Sequence, residues 1–485
     1  MVQLPYPLLL LGAVIWCSIV IFILLFIGYV SYQHWKYSHI PSPPRGSFLW
    51  GNMQQISTAM QNGKSLHSDI LLKWASDYGP IFKFFTLHKA TVVVLEPEVL
   101  QDLLTGEHPK PSNYQALCSL FGQRLLGQSI MTEVDNEKIA KRRSILTSAL
   151  RDDLLWDKLD ACCNSFNEKL KTFADGETIV KMFDEFGYVV LDITIQVLCS
   201  MDNNSDINRD LYEDLQLIYK SIDHSHNNPM IKYNPMKRIY REEVREAIKH
   251  VRGMFRQCVN QRQTALENSD RQQLPHDVLT HWLKTSAVHD TEELVDDLVA
   301  LLVAGVDTTA SMLSFCLFQL CMNPLVYKKV YAEVKAVKEE AKLIKLPYLE
   351  NVLKETLRLY PVGMGTMREL KTSRIYNNMK IPAASTVLVS MVVMGRVEWY
   401  YDKPLVFNPD RFQSSQNITR FAYCPFSEGP RCCIGQQLAM MEAKTILARL
   451  VQVFKFKLVK GQSQDVLEQT TLKPKGKCQV YIMQI

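Results

Sequence analysis

The chain has 485 residues, 47% of them hydrophobic and 22% charged, and a formal net charge of +5. Apolar material on that scale suits a substantial core, and so mild a charge gives no case for a nucleic-acid partner. Twelve cysteines lie scattered without a CxxC pair or zinc-type spacing, which sets aside a disulfide framework or a zinc site and fits a reducing, cytosol-facing compartment.

Residues 8–29 carry no charge and are dominated by Leu, Ile, Val and Phe. At ~1.5 Å per residue such a helix is about 33 Å long, enough to cross a bilayer core. A cleaved signal peptide has a shorter apolar core, a basic residue before it and a small-residue cleavage site. None of these is present, so an uncleaved anchor is expected. The first basic residues after it, Lys36 and Arg45, predict that the bulk of the chain lies in the cytosol. Ile40-Pro41-Ser42-Pro43-Pro44-Arg45-Gly46 cannot continue a helix and reads as a stiff extended spacer. The expected division is an anchor at 8–29, a proline-rich linker at 30–46 and one large domain at 47–485, since no later stretch resembles a linker.

Residues 81–85 and 91–95 are β-branched and aromatic runs that predict a hairpin. From there to about Met322 the pattern is mostly helical. Short strand-like runs return after Pro361, at 386–390, 454–459 and 479–482. The expected fold class is therefore mainly α with smaller β-sheets (α+β). Asp290-Thr291-Glu292-Glu293 forms a capping box, and the helix it opens runs to Asn323, where Pro324 stops it. Roughly 32 residues extend about 48 Å. Its polar start makes it a core helix rather than a second membrane span. Inside it lies Ala304-Gly305-Val306-Asp307-Thr308-Thr309. Glycine there costs about 1 kcal/mol relative to alanine. The two small residues would let a flat ligand approach the backbone, and Thr308 can bond back to the carbonyl of Ala304 and loosen the helix. Farther on, Glu355 and Arg358 share one helix face within residues 351–360, a spacing also common in surface ion pairs.

Near the C-terminus comes Phe426-Ser427-Glu428-Gly429-Pro430-Arg431-Cys432-Cys433-Ile434-Gly435. It reads as a loop that presents one cysteine thiolate to an iron atom: a phenylalanine covers the sulfur, two glycines allow tight turns, and an arginine meets an acidic group. A buried cysteine acting as a small hydrophobe would leave the glycines and the arginine without a purpose. Residues 436–450 follow with helical spacing, so Cys433 precedes a helix N-terminus, which favours a thiolate over a thiol.

This run resembles the haem-binding loop of the cytochrome P-450 superfamily, Phe-x-x-Gly-x-Arg-x-Cys-x-Gly. The match makes Cys433 the axial ligand of haem iron, Phe426 and Gly435 its neighbours in the cofactor site, and leaves Cys432 beside them. A thiolate on haem iron favours O–O cleavage, which is monooxygenase chemistry. The central-helix sequence matches the family's Ala-Gly-x-Asp-Thr-Thr and implies that Thr308 handles bound dioxygen while Asp307 helps relay protons. Arg411, within Phe407-Asn408-Pro409-Asp410-Arg411-Phe412, would complete a structural triad with Glu355 and Arg358. The family also supplies propionate-binding cations at positions matching Arg143, Arg368 and Arg431, although Ile139 stands where it often has Trp. Lys138, Lys141, Arg142 and Lys444 would form a basic patch for an acidic electron donor, or simply a solvated face. Substrate-facing positions inferred from the family are Leu120, Phe121, Leu301, Ala304, Val362, Met364 and Leu472, all apolar. Asn228-Pro229-Met230-Ile231-Lys232-Tyr233 corresponds to a loop that dips into the lipid surface in membrane-bound relatives, and by sequence alone is equally an ordinary loop.

Within the superfamily, segments at 40–45, 120–128, 393–396, 407–412, 425–437 and 471–474 resemble the cholesterol 24-hydroxylase branch, with a shortened stretch around 334–347. The resemblance implies a single-pass protein of the endoplasmic reticulum with haem b as cofactor. It would hydroxylate a lipophilic substrate, expected to be a sterol, with O2 and electrons relayed from NADPH by a reductase. The alternatives are a haem-thiolate isomerase acting on a lipid peroxide, a monooxygenase of a fatty acid or xenobiotic, and a non-catalytic haem sensor, which has no need of Thr308.

Overall fold

The computed structural model describes residues 6–150, 155–201, 205–268, 274–285, 290–337, 345–414 and 418–485. The shortened stretch expected around 334–347 thus lies partly outside the described residues.

The first helix, Tyr6–Lys36, runs seven residues past the charge-free stretch, into what the sequence marked as linker. Its apolar side chains from Leu10 to Ile27 are almost all exposed, as a lipid-facing span requires. Its end docks on the body. Tyr29 meets the ring of His88, Lys36 Nζ donates to the carbonyl of Ala383, and Tyr37 Oη lies 2.9 Å from Ser385 Oγ. The prolines follow at 41–44, and the backbone of Lys83 donates to the carbonyl of Pro41. The spacer is therefore laid along the domain.

The expected hairpin is present as Ile81–Thr86 and Lys89–Val94, antiparallel, with Leu87 at positive φ in its turn. Lys89–Val94 also pairs in parallel with Thr386–Ser390, and that strand pairs with Gly365–Glu369, giving a four-stranded sheet. Behind it a smaller core gathers Phe82, Val92, Leu100 and Val387. A second sheet joins Phe454–Leu458, Gln479–Gln484 and Asp175–Lys181. The hairpin Val466–Glu468 with Leu472–Pro474 stands apart from both.

Helices build the larger core, and Thr291–Met322 runs through its middle. Asp290 caps it, its Oδ1 accepting from the amide of Glu292 at 2.9 Å. Although long and apolar enough to cross a membrane, this helix is mostly buried inside the protein. Around it pack Met182–Cys199, Arg238–Glu267, Pro347–Leu359 and Gln436–Val453, and Tyr219 of the helix Ser205–Asn227 reaches it with a hydrogen bond to the carbonyl of Val303. The mainly α class with small sheets is what the sequence predicts.

Candidate active site

Cys433 follows the short turn Gly429–Arg431 and precedes the helix Gln436–Val453. Gly429 has φ +73°, and a Cβ there would overlap the backbone carbonyl of Leu104, so only glycine fits. Gly435 differs from expectation. It has φ −87°, which any residue adopts, and a Cβ would sit 4.0 Å from Cys433 Sγ. It makes no tight turn; what it leaves is open space beside the sulfur. The Cys433 amide donates to the carbonyl of Phe426 at 2.9 Å, which keeps Phe426 next to the ligand position.

The Cys433 thiol is open to solvent yet enclosed by protein, as a group lining an internal cleft would be. Burial raises its pKa, partly offset by the Gly435 amide and the Arg143 guanidinium. Burial thus works against the thiolate that the sequence expects the helix N-terminus to favour. A coordinated metal would secure it, because ligation deprotonates a thiol outright. Among the described residues no group of three or more His, Cys, Asp or Glu side chains could hold a bare ion. A tetrapyrrole would supply the other ligands of a metal held by Cys433.

Four cations cluster around one another here, and one of them, Arg143, acts on the thiol. Arg368 is buried, held by Thr366 Oγ1 and the carbonyl of Met367, and its Nη2 has no partner. Arg431 donates to Asn136 Oδ1 at 2.5 Å and to the carbonyl of Glu133 at 2.6 Å, and its Nη2 is likewise unpartnered. Arg143 donates to the carbonyl of Cys432. The fourth, Lys110, is absent from the sequence reading. The amide of Glu369 donates to Pro109, which sets Lys110 beside the strand that carries Arg368. Burial, then repulsion from Arg431, Arg368 and Arg143, pushes the Lys110 pKa down to about 7. Arg431 falls to about 10 by burial and by repulsion from Arg143 and Arg368. Buried cations with orphaned N–H groups call for an anion. The two carboxylates of haem fit here, and the sequence signal missed was a lysine flanked by prolines in Pro109-Lys110-Pro111.

Between Leu294 and Leu317 every residue of the central helix is buried except Leu301, Ala304, Gly305 and Thr308, which are partly accessible. Their spacing of i, i+3, i+4 and i+7 defines one open stripe. Thr308 Oγ1 donates to the carbonyl of Ala304 at 2.7 Å, as predicted. Asp307 is off this stripe and buried. Its Oδ2 accepts from Thr471 Oγ1, and its Oδ1 lies 2.8 Å from Lys473 Nζ. That last contact is an ion pair by distance but is not aligned as a hydrogen bond. The acid that the motif pairs with Thr308 is thus held by the C-terminal hairpin.

The apolar positions divide. Leu301, Ala304 and Met364 are partly accessible, whereas Leu120, Phe121, Val362 and Leu472 are buried. Leu472 donates its amide to Val362 at 3.0 Å, and Phe121 stacks edge-on with Tyr240. Glu355 accepts from Arg358 Nε at 2.7 Å and from Arg411 Nε at 3.1 Å, so the three residues of the expected triad meet. The basic patch is smaller than expected. Lys138 and Lys141 are exposed, but Arg142 turns inward to the buried Asp297, and Lys444 pairs with Glu350. Asp297 draws Arg142 in, while the neighbouring buried Asp296 binds Arg124 and Arg252 instead.

The family model "Cytochrome P450" matches residues 41–481. The chain belongs to the cytochrome P450 family. Curated P450 relatives include cytochrome P450 4d2 of Drosophila melanogaster, 25% identical over 80% of this chain and 83% of the relative. Cytochrome P450 3A17 of Cavia porcellus is 34% identical over 39% of this chain and 41% of its own length. Cytochrome P450 3A7 of Homo sapiens is 36% identical over 34% of each. As a P450, this protein is a haem-thiolate monooxygenase, an oxidoreductase that uses O2.

Proposed function

We propose that this P450 hydroxylates the side chain of a sterol, with Cys433 as the thiolate ligand of haem iron and electrons reaching it from NADPH through a reductase. The observation that carries the site is the cluster of four cations, Lys110, Arg143, Arg368 and Arg431, which reaches the Cys433 thiol through Arg143 and has two guanidinium nitrogens unpartnered. Haem, when bound, activates O2. The chain's own residues do the rest. The cations neutralise two carboxylates and fix the macrocycle's orientation. The open stripe of Leu301 and Ala304, with Met364, excludes water and holds an apolar substrate against the reacting centre. Leu120, Phe121, Val362 and Leu472 form the wall behind those contacts. Thr308, on the same stripe, offers a hydroxyl where a proton must be passed, and Asp307 supplies the next acid in line. Glu355, Arg358 and Arg411 hold the segment leading to the ligand loop.

Membrane residence is part of the reading. The exposed helix from Leu10 to Ile27 spans the endoplasmic-reticulum bilayer, with the domain at 47–485 on its cytosolic face. Met230, Tyr233, Met236 and Ile239, all strongly exposed between Ser205–Asn227 and the body of Arg238–Glu267, touch the same lipid surface, where a sterol would enter. Lys138 and Lys141 lie on the helix that carries Arg143 and suit docking of an acidic electron donor.

The choice of a sterol rests on the resemblance in the sequence segments named above, while the relatives fix the reaction class. Membranes carrying the protein and a reductase, incubated with a panel of sterols, fatty acids and xenobiotics, separate the readings by product mass. A side-chain hydroxysterol formed only with NADPH supports the proposal. Turnover confined to fatty acids or xenobiotics, or rearrangement of a peroxide without reductant, sinks it.

A further inference from the structure

Adjacent threonines on one turn are held by buried aspartates from two different helices. Thr470 donates its amide and its hydroxyl to Asp223 Oδ1, at 2.5 and 2.6 Å, and Asp223 belongs to the helix Ser205–Asn227. Thr471 donates to Asp307 Oδ2 in the central helix. Two residues on, Lys473 is buried and ion-paired to Asp307 Oδ1. Its ammonium lies over the rings of Phe183 and Tyr219, at 5.9 and 5.2 Å to the centroids. Tyr219 comes from the same helix as Asp223 and donates to the carbonyl of Val303, one turn before Asp307. Leu472, between the two contacts, is pinned by its amide to Val362.

We infer that the turn at residues 469–472 is a positioning element that sets the Asp307 carboxylate and couples its orientation to the helix Ser205–Asn227. Both oxygens of Asp307 are engaged from the hairpin, so the carboxylate cannot turn toward Thr308 unless the hairpin yields. The same turn is tied through Thr470 to Asp223, four residues before that helix ends. The exposed apolar segment at Met230 to Ile239 begins just after it. A shift of this helix as a lipophilic substrate enters therefore pulls on Thr470, and through the peptide link on Thr471 and Asp307. Two features leave the device room to move. Asp223 Oδ2 is buried without a partner, and Asp307 Oδ1 has an ion pair but no aligned hydrogen bond. Thr470 and Asp223 act through Asp307 and do not touch the reacting atoms.

The inference rests on the reading of Asp307 as the proton-relay acid, and the test keeps the two apart. Full-length protein with its reductase is assayed for product formed per NADPH consumed and for the solvent deuterium isotope effect on turnover. Thr470→Val is expected to lower product per NADPH roughly fivefold, the factor that corresponds to about 1 kcal/mol from one lost hydrogen bond. It should also raise the isotope effect, leaving KM and the reduced carbon-monoxide spectrum unchanged. Thr470→Ser, which keeps the hydroxyl, should restore both. Amide hydrogen exchange at Thr471 and Leu472 should quicken in Thr470→Val, a readout independent of turnover. Combined with Thr471→Val, the second change should add almost nothing, because both cut one path. Should Thr470→Val fail to bind haem, Asp223→Asn gives the same reading from the other end. If Asp307→Asn itself leaves coupling and isotope effect as in the parent, the proton-relay assignment fails. If Asp307→Asn alters both and Thr470→Val neither, the positioning role is overturned. Independent, multiplying effects of Thr470→Val and Thr471→Val would overturn it as well.

Discussion

Arg411 reaches back 56 positions along the chain to place its Nε 3.1 Å from Glu355 Oε1, the same oxygen that accepts the amide of Asn408 at 2.7 Å. Glu355 is fully buried, and Arg358, one helical turn on, is buried with it and also donates to the carbonyl of Pro404. The carboxylate thus fastens the helix Pro347–Leu359 to the segment that leads into the cysteine loop.

Replacing Glu355 by Gln or Ala leaves Arg358 and Arg411 without a counter-charge. Stripping a buried ion of its partner costs about 3–5 kcal/mol. The expected result is a chain that accumulates poorly and incorporates little haem, measured as haem per polypeptide and as midpoint in chemical unfolding. Arg411→Lys should be milder, since Arg411 is the more exposed partner and a lysine keeps the charge.

Cys433 and Cys432 are adjacent, and only one can ligate. Cys433→Ser should abolish the red-shifted Soret band of the reduced carbon-monoxide adduct while far-ultraviolet circular dichroism stays as in the parent. Cys432→Ser should keep the band, because the Cys432 backbone carbonyl that accepts from Arg143 is still there in the variant. A spectrum lost in the second variant and kept in the first would reverse the assignment of the ligand.

Glu442 offers a pH test far from turnover. It is buried in the helix Gln436–Val453, and burial raises its pKa to about 8, offset only by a hydrogen bond with Thr309. The unfolded chain ionises it near 4.5, so between those values the folded form holds a proton that the unfolded form has lost. The contribution to stability is complete below about 4.5 and declines as pH rises, by about 1.4 kcal/mol per unit, to a limit of roughly 5 kcal/mol above 8. Glu442→Gln should flatten that decline, so that it unfolds at higher denaturant than the parent at pH 9 but not at pH 5. Parallel pH curves for the two proteins would contradict the buried, neutral carboxyl.

Much of this was legible in the sequence for physical reasons. The central helix announced itself by its capping box and long apolar run, and Thr308 by its distance of four from Ala304. The cysteine loop carries a glycine that no other residue can replace at 429. What stayed hidden depends on tertiary placement. Nothing local marks Lys110 as a neighbour of Arg368, because a backbone bond from Glu369 to Pro109 makes the contact. Arg142 looked like a surface charge because its partner, Asp297, belongs to a distant helix. The hold of Lys473 and Thr471 on Asp307 is equally nonlocal. The paired segments Ser119–Leu120 and Gln123–Arg124 are too short for any period to be read.

The four cations make haem removal and low salt act together, and Lys110 is where this can be measured. In the protein without its cofactor, burial of Lys110, and after it repulsion from Arg431, Arg368 and Arg143, pushes its pKa down to about 7. Binding two carboxylates turns that repulsion into attraction. Lys110→Met should therefore have opposite effects on the two forms. The haem-free variant should be more stable than the haem-free parent at pH 6, where Lys110 carries its charge. The margin should narrow as salt is added and as pH rises above 7, when the parent's lysine loses its proton. The haem-loaded variant should give up its cofactor faster to an excess of a haem acceptor, by a factor readable from the Soret absorbance. Thermal unfolding of the apoprotein and the transfer rate of the holoprotein are separate measurements. A variant that lowers both stabilities would mean that Lys110 is part of the wall and takes no share in holding the carboxylates.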